Sequence, residues 1–154
     1  MEVNFRWNRK NSYSLAALAP LLPDAKMAKR PENGLMIYSF ASRQKTSVFR
    51  EVENAGTDSI FIAGGPHPSG APEETLRYFD YVVIGEGEET LPELVRTISS
   101  IDDISKVKGI AYKDDAGKVI FTENRKPVDL DSYPCFDPAR VMAPLEISRG
   151  CPFR

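Results

Sequence analysis

The sequence predicts an α/β domain with a doubly wound, parallel, five-stranded sheet, followed by a β-hairpin and a linker. Three observations carry that reading. Short apolar runs alternate with segments of helical periodicity. Two of these runs end in glycine-rich loops, at Gly64-Gly65 and at Gly85-Glu86-Gly87. The length, 154 residues, is that of one ordinary domain, enough to bury a core without a disulfide or metal staple.

Val3, Phe5 and Trp7 alternate with polar residues and give a first strand over residues 2–7. Ser12 is placed to cap a helix whose apolar face is Leu15, Leu18, Ala19 and Leu22, stopped near Pro20 and Pro23. A short strand over Ala25–Lys29 and a turn at Pro31-Glu32-Asn33-Gly34 come next. Leu35–Phe40 is the kind of apolar run found in strands buried on both faces. Val48, Phe49, Val52 and Ala55 recur at helical spacing, and Gly56 stands where a helix ends. Ser59–Ala63 forms the next strand, and Pro72 opens a short helix reaching about Phe79, with Glu73 and Glu74 in its first turn. Tyr81–Ile84 is the fifth strand. Thr90 and Glu93 have capping-box spacing ahead of Leu91, Leu94, Val95, Ile98 and Ile101. Gly109–Lys113 and Lys118–Thr122 flank Asp114-Asp115-Ala116-Gly117 as a hairpin. Residues 123–144, rich in Pro and Asp, read as a linker, and Leu145–Arg154 begins as a strand.

Composition narrows the function. Net charge is −2, which argues against bulk electrostatic binding to nucleic acid. Residues 1–50 carry 9 Lys/Arg against 3 Asp/Glu, and residues 51–154 carry 11 against 19. The basic third reads as a solvated face or as a surface for an anionic ligand. No apolar run reaches the roughly 18–20 residues of a membrane span, and Met-Glu-Val-Asn-Phe-Arg-Trp has no signal-peptide core. Two cysteines, Cys135 and Cys151, are too few for a disulfide framework. A soluble, cytoplasmic protein is expected.

In such sheets strand C-termini share one edge, and ligands bind there. The functional loops are therefore Asn8–Ser14, Ser39–Lys45, Gly64–Ala71 and Gly85–Glu89. Gly64-Gly65-Pro66-His67-Pro68-Ser69-Gly70 reads as a stiff, exposed loop whose glycines admit close approach of a ligand, or alternatively as a tight strand–helix connection. In Gly85-Glu86-Gly87-Glu88-Glu89, Glu88 and Glu89 suit a helix N-terminus, which accounts less well for Glu86 between two glycines. The segment lacks the third glycine of a dinucleotide fingerprint. A single histidine excludes a zinc site with four ligands from histidine and paired cysteines. No strand–Gly-x-Ser-x-Gly–helix elbow is present.

Gly64–Glu74, followed by Asp80-Tyr81-Val82-Val83-Ile84-Gly85-Glu86-Gly87-Glu88-Glu89-Thr90-Leu91-Pro92-Glu93-Leu94, resembles the N-terminal cobalamin-binding domain of cobalamin-binding radical SAM proteins. The stretch Ile147-Ser148-Arg149-Gly150-Cys151-Pro152-Phe153-Arg154 resembles the entry to that family's radical SAM domain, where Cys-x-x-x-Cys-x-x-Cys holds a 4Fe–4S cluster. Two departures stand out. The first loop reads Asn8-Arg9-Lys10-Asn11-Ser12-Tyr13 and has no histidine where related domains carry a lower axial ligand to cobalt. Ser39 and Gly64-Gly65 match the family's later loops, but Ala41 replaces a leucine. The sequence also stops one position before the second cluster cysteine would fall, so a truncated chain is expected; Cys135 is expected to be a packed thiol.

The resemblance implies a flavodoxin-like domain over residues 1–105, a hairpin and linker over 106–144, and the first strand and loop of a radical SAM domain over 145–154. It implies that Asn11, Ser12, Tyr13, Ser39, Gly64, Gly65, His67, Pro68, Ser69, Gly85, Glu86, Gly87 and Glu88 surround cobalamin bound without a protein histidine on cobalt. Cys151 would ligate the cluster, beside S-adenosylmethionine, in the full-length parent only. The fragment itself is expected not to be catalytic, and its partner is its own radical SAM domain. The rival is a docking or dimerisation module that keeps the fold and has lost cobalamin. A methylthiotransferase-type domain is rejected because residues 1–134 contain no cysteine.

Overall fold

The computed structural model describes residues 1–133; Cys135, Cys151 and the 145–154 segment lie outside the described residues. In chain order the strands are β1 (Val3–Arg6), β2 (Lys26–Ala28), β3 (Gly34–Ser39), β4 (Ser59–Gly64), β5 (Tyr81–Val83), β6 (Ile110–Lys113) and β7 (Val119–Phe121). The helices are α1 (Ser12–Leu18), α2 (Lys45–Glu53), α3 (Pro66–Gly70), α4 (Pro72–Thr75) and α5 (Gly87–Ser100). All seven strands join one sheet in the order β2-β1-β3-β4-β5-β6-β7. The first five are parallel, which is the doubly wound flavodoxin-like arrangement with its switch point between β1 and β3. The expected hairpin forms and extends that sheet, because β6 pairs antiparallel with β5, Val82 opposite Ala111.

Strand alternation splits the apolar residues between two cores. Phe5, Leu35, Ile37, Ile62, Val83 and Ile110 face α1 and α5, where Leu15, Leu91 and Leu94 meet them. Met36, Tyr38, Phe40, Phe61, Ala63 and Val82 face the opposite side, against Phe49 and Val52 of α2 and Leu76 and Phe79. Burying each large apolar side chain contributes about 1.5–3 kcal/mol. That accounts for strands whose middles are apolar on both faces.

Four local expectations need correction. Ser12 is the first helical residue and caps nothing; its hydroxyl donates to the Arg9 carbonyl at 3.3 Å. Asn11 precedes the helix and ties its loop to the strand, since Asn8 N–H donates to Asn11 Oδ1 (2.9 Å) and Asn11 Nδ2 donates to the Arg6 carbonyl (2.7 Å). Helix α5 starts at Gly87 with Glu86 as its N-cap residue, so Thr90 is inside the helix and fully buried. Gly87 carries no side chain, and this lets the first turn press on Leu18, while Glu88 and Glu89 favour the helix N-terminus. The helix opened by Pro72 ends at Thr75 and continues only as a turn, with Phe79 N–H donating to the Thr75 carbonyl. The last correction is the stretch after Gly64-Gly65. It is a helical turn, α3, with Pro66 in the favourable first position, and it buries His67 and Pro68.

Candidate functional site

The parallel strands bring the loops after β1, β3, β4 and β5 to one edge, and on the α1/α5 face that edge opens into a cavity of about 370 Å³. Ile37, Ile62 and Val83 form its floor, Leu15, Leu18 and Leu91 its walls, and Tyr13 stands at the mouth. Ser39, Gly64, Gly65, Ser69 and Gly85–Glu88 make the rim. Gly65 enters α3 with φ +94° and ψ −174°, a conformation open essentially to glycine alone. Gly87 approaches α1 so closely that a Cβ there would sit 3.3 Å from Leu18 Cδ2. Ser69 joins two rim loops: its hydroxyl donates towards the Val83 carbonyl (3.5 Å) and accepts from Gly85 N–H (3.0 Å). The result is an apolar slot with a glycine rim and a few hydroxyls, suited to a mostly apolar group with polar edges.

Nine of the thirteen residues named as a site from the sequence line this cavity: Tyr13, Ser39, Gly64, Gly65, Ser69, Gly85, Glu86, Gly87 and Glu88. Asn11 is buried and borders a second recess, and Ser12 lies outside both. His67 and Pro68 lie outside them too. The His67 ring packs on Phe40 and Phe49, with centroids 5.6 and 5.9 Å away. Its Nδ1 lies 3.2 Å from Ser42 Oγ and its Nε2 3.5 Å from Glu74 Oε2. Glu74 is itself held by Lys45 at 2.7 Å. Leu15, Ala17 and Leu18 of α1, and Leu91 of α5, are cavity residues that the sequence does not single out. Their spacing reads as ordinary core, and only the closeness of Gly87 to a neighbour marks a cavity beside it.

The second recess, about 280 Å³, lies on the far side of the β1/β3 switch point. Arg6 spans it, donating through Nε to Glu51 Oε1 (2.6 Å) and through Nη2 to Glu51 Oε2 (2.7 Å), while Tyr38 Oη donates to Glu51 Oε1 (2.9 Å). Burial pushes the Glu51 carboxyl upward, and the hydrogen bonds from Arg6 and Tyr38 outweigh it, leaving the group below the usual carboxylate value. Burial, followed by the adjacent Glu51 charge, pushes the Tyr38 phenol strongly upward, so it remains a neutral donor. Arg9 and Lys10 edge the same recess. No helix of the described residues is long and apolar enough to cross a membrane.

Residues 35–95, which contain β3 to β5, most of the glycine rim and the first half of α5, match the B12 binding domain family. Residues 35–95 are a B12-binding domain. Over 135 residues the chain is 30% identical to an uncharacterized methyltransferase of Pyrococcus horikoshii, covering 78% of this chain and 29% of that protein. The fold is that of the cobalamin-dependent S-adenosylmethionine radical enzyme OxsB, solved with aqua-cobalamin and S-adenosylmethionine bound, with a TM-score of 0.62 and 20% identity over 81% of this chain and 22% of that one. It is also that of the radical S-adenosylmethionine methyltransferase TsrM from Kitasatospora setae, solved with cobalamin and a 4Fe–4S cluster, with a TM-score of 0.60 and 17% identity over 90% of this chain and 32% of that one. The chain thus spans less than a third of the length of each of these proteins. The B12-binding domain resembles those of cobalamin-dependent radical SAM enzymes, as read from the glycine loops.

Proposed function

We propose that this chain binds cobalamin at the cavity between α1 and α5 and forms the cobalamin-binding part of a cytoplasmic radical SAM enzyme. The observation that carries the reading is the apolar slot with a glycine rim, on the strand C-terminal edge, within the segment that matches the B12-binding family. The residues present fit the group. Ile37, Ile62, Val83 and Leu91 offer an apolar bed, Ser39 and Ser69 offer hydroxyls, and Gly64, Gly65, Gly85 and Gly87 let backbone amides approach a bulky ring. When bound, cobalamin supplies a cobalt that carries a methyl group or takes part in radical chemistry. This chain's residues orient it and shield one face from water. Residues 1–105 would hold the cofactor, 106–144 would lead onward, and Cys151 would contribute one thiolate to a 4Fe–4S cluster beside S-adenosylmethionine in a following domain.

Binding would occur without a protein histidine on cobalt. The only histidine, His67, is turned into the aromatic core and is absent from the cavity lining, which supports that mode. Asn11, Ser12, His67 and Pro68 then act by shaping loops around the site. Titrating hydroxocobalamin into the chain and following visible absorbance tests the reading. Saturable one-to-one binding in the micromolar range is expected. No binding at high micromolar cobalamin would overturn it in favour of a docking or dimerisation module.

A further inference from the structure

The acidic run at the start of α5 faces part of its own chain. After β7, Glu123 accepts from Gly109 N–H (2.8 Å), and Gly109 in turn accepts from Ile84 N–H (2.8 Å), which brings the chain to the end of β5. Arg125 then lies along α5, donating through Nη1 to Glu89 Oε2 (2.9 Å) and through Nη2 to Glu93. Val128 N–H donates to Glu86 Oε2 at 2.6 Å, and the Tyr133 hydroxyl donates to Glu89 Oε1 at 3.1 Å. Glu86 is therefore shared: it belongs to the cavity rim, and its carboxylate holds this segment. Its neighbour Gly85, at φ +78°, is tied on the other side to Ser69, also on the rim. The Gly85–Gly87 loop is thus fixed from two directions, by Ser69 and by Val128.

We propose that residues 125–133 are a strap, that Glu86 is the positioning residue it grips, and that seating the strap sets the shape of the cavity mouth. Glu86 acts through the loop it anchors, and Glu89 and Glu93 hold the strap beside it. By linkage, a ligand that needs the ordered loop must tighten the strap by the same factor that the strap tightens the ligand. Only the identity of that ligand rests on the cobalamin reading.

The test uses the 154-residue chain as wild type, Arg125→Ala, Arg125→Lys and Glu86→Ala. Arg125 contacts α5 away from the rim and is not among the cavity-lining residues. Amide hydrogen exchange without ligand is measured first. Arg125→Ala is expected to speed exchange at Val128 and at Gly85–Glu88 by about fivefold or more, with the amides of β3 and β4 unchanged, and Arg125→Lys should restore part of the protection. Unchanged exchange at Gly85–Glu88 in both Arg125→Ala and Glu86→Ala would overturn the proposal, whether or not cobalamin binds. Hydroxocobalamin is then titrated. Slower exchange at Val128 and at Gly85–Glu88 in wild type saturated with cobalamin supports the strap, and binding that leaves exchange at both unchanged overturns it. Failure of wild type to bind hydroxocobalamin overturns the functional reading, and the strap is then decided by the ligand-free exchange.

Discussion

Gly65 and Ser39 are so close that a Cβ built on Gly65 would lie 2.8 Å from the Ser39 hydroxyl oxygen, and only 3.1 Å from the amide nitrogen of Phe40. The third and fourth strand ends of the cavity rim therefore touch through a position that has no room for a side chain.

Two kinds of glycine substitution should behave differently. Gly65→Ala combines this clash with a glycine-only backbone and should destabilise by about 1–3 kcal/mol while weakening hydroxocobalamin. Gly87 is helical, and its Cβ would press on the flexible tip of Leu18 on the cavity wall and touch Val83 at ordinary contact distance. Gly87→Ala should leave the melting temperature nearly unchanged and still lower affinity. Leu94→Ala, at a fully buried position outside the cavity lining, should cost about 2–5 kcal/mol with affinity retained. Denaturant melts paired with absorbance titrations separate the three.

The Arg6–Glu51–Tyr38 network gives a pH dependence with a definite sign. The folded pKa of Glu51 lies below its ordinary value of 4.5. Its contribution is therefore present above pH 4.5 and is lost as pH falls through the lowered native value. Glu51→Gln should flatten the stability–pH curve in that acid window. Some slope should survive, because Glu74 and Asp103 are also lowered, by hydrogen bonds from Lys45 and Ser105. Arg6→Ala leaves the half-buried carboxylate without its main partner and should cost about 1–3 kcal/mol at neutral pH, read by urea unfolding.

Ile101 is 93% exposed and adopts a left-handed backbone, φ +57°, at the end of α5. Asp102 N–H closes that end by donating to the Thr97 carbonyl at 3.0 Å. A β-branched residue is ill suited to this position. Ile101→Gly should stabilise by about 0.5–1 kcal/mol once the looser unfolded chain is counted. Calorimetry would register this as a rise of a few degrees.

His67 should matter to packing and not to cobalt. His67→Ala removes a ring from contact with Phe40 and Phe49 and should lower stability. The electron paramagnetic resonance spectrum of bound cobalt(II) cobalamin should be the same as in wild type. Nitrogen superhyperfine splitting present in wild type and lost in the variant would show that His67 ligates cobalt.

Much of the sheet and the edge carrying the cavity is legible because β1 alternates apolar with polar residues, β3, β4 and β5 are compact apolar runs, and those three give way to small residues. The eight rim positions lie at the ends of those three strands and in the loops after them. Pro-His-Pro reads locally as an exposed loop, and its burial depends on Phe40 and Phe49, which arrive from β3 and α2. The sequence sets the α5 cap four residues late because Thr90 and Glu93 imitate a capping box, whereas the cap is Glu86 and the first turn packs on Leu18 from the distant α1. The role of the acidic motif was hidden by distance. Its partners Arg125 and Val128 lie 36 and 42 residues further along the chain, beyond any local pattern.

The β6–β7 hairpin also settles a question of parity. Each β–α unit of the parallel sheet crosses the domain once on the strand and once on the way back, so every strand ends on the cavity side. After α5 has carried the chain away from that side, residues 101–109 return it, because Ile110 pairs with Val83 at the end of β5. Strand β6 then leads away and β7 leads back, an even number of passes. A lone antiparallel strand would have left the chain on the opposite side of the sheet. With two, it emerges next to the site, and Val128 reaches Glu86 without having to travel around the domain.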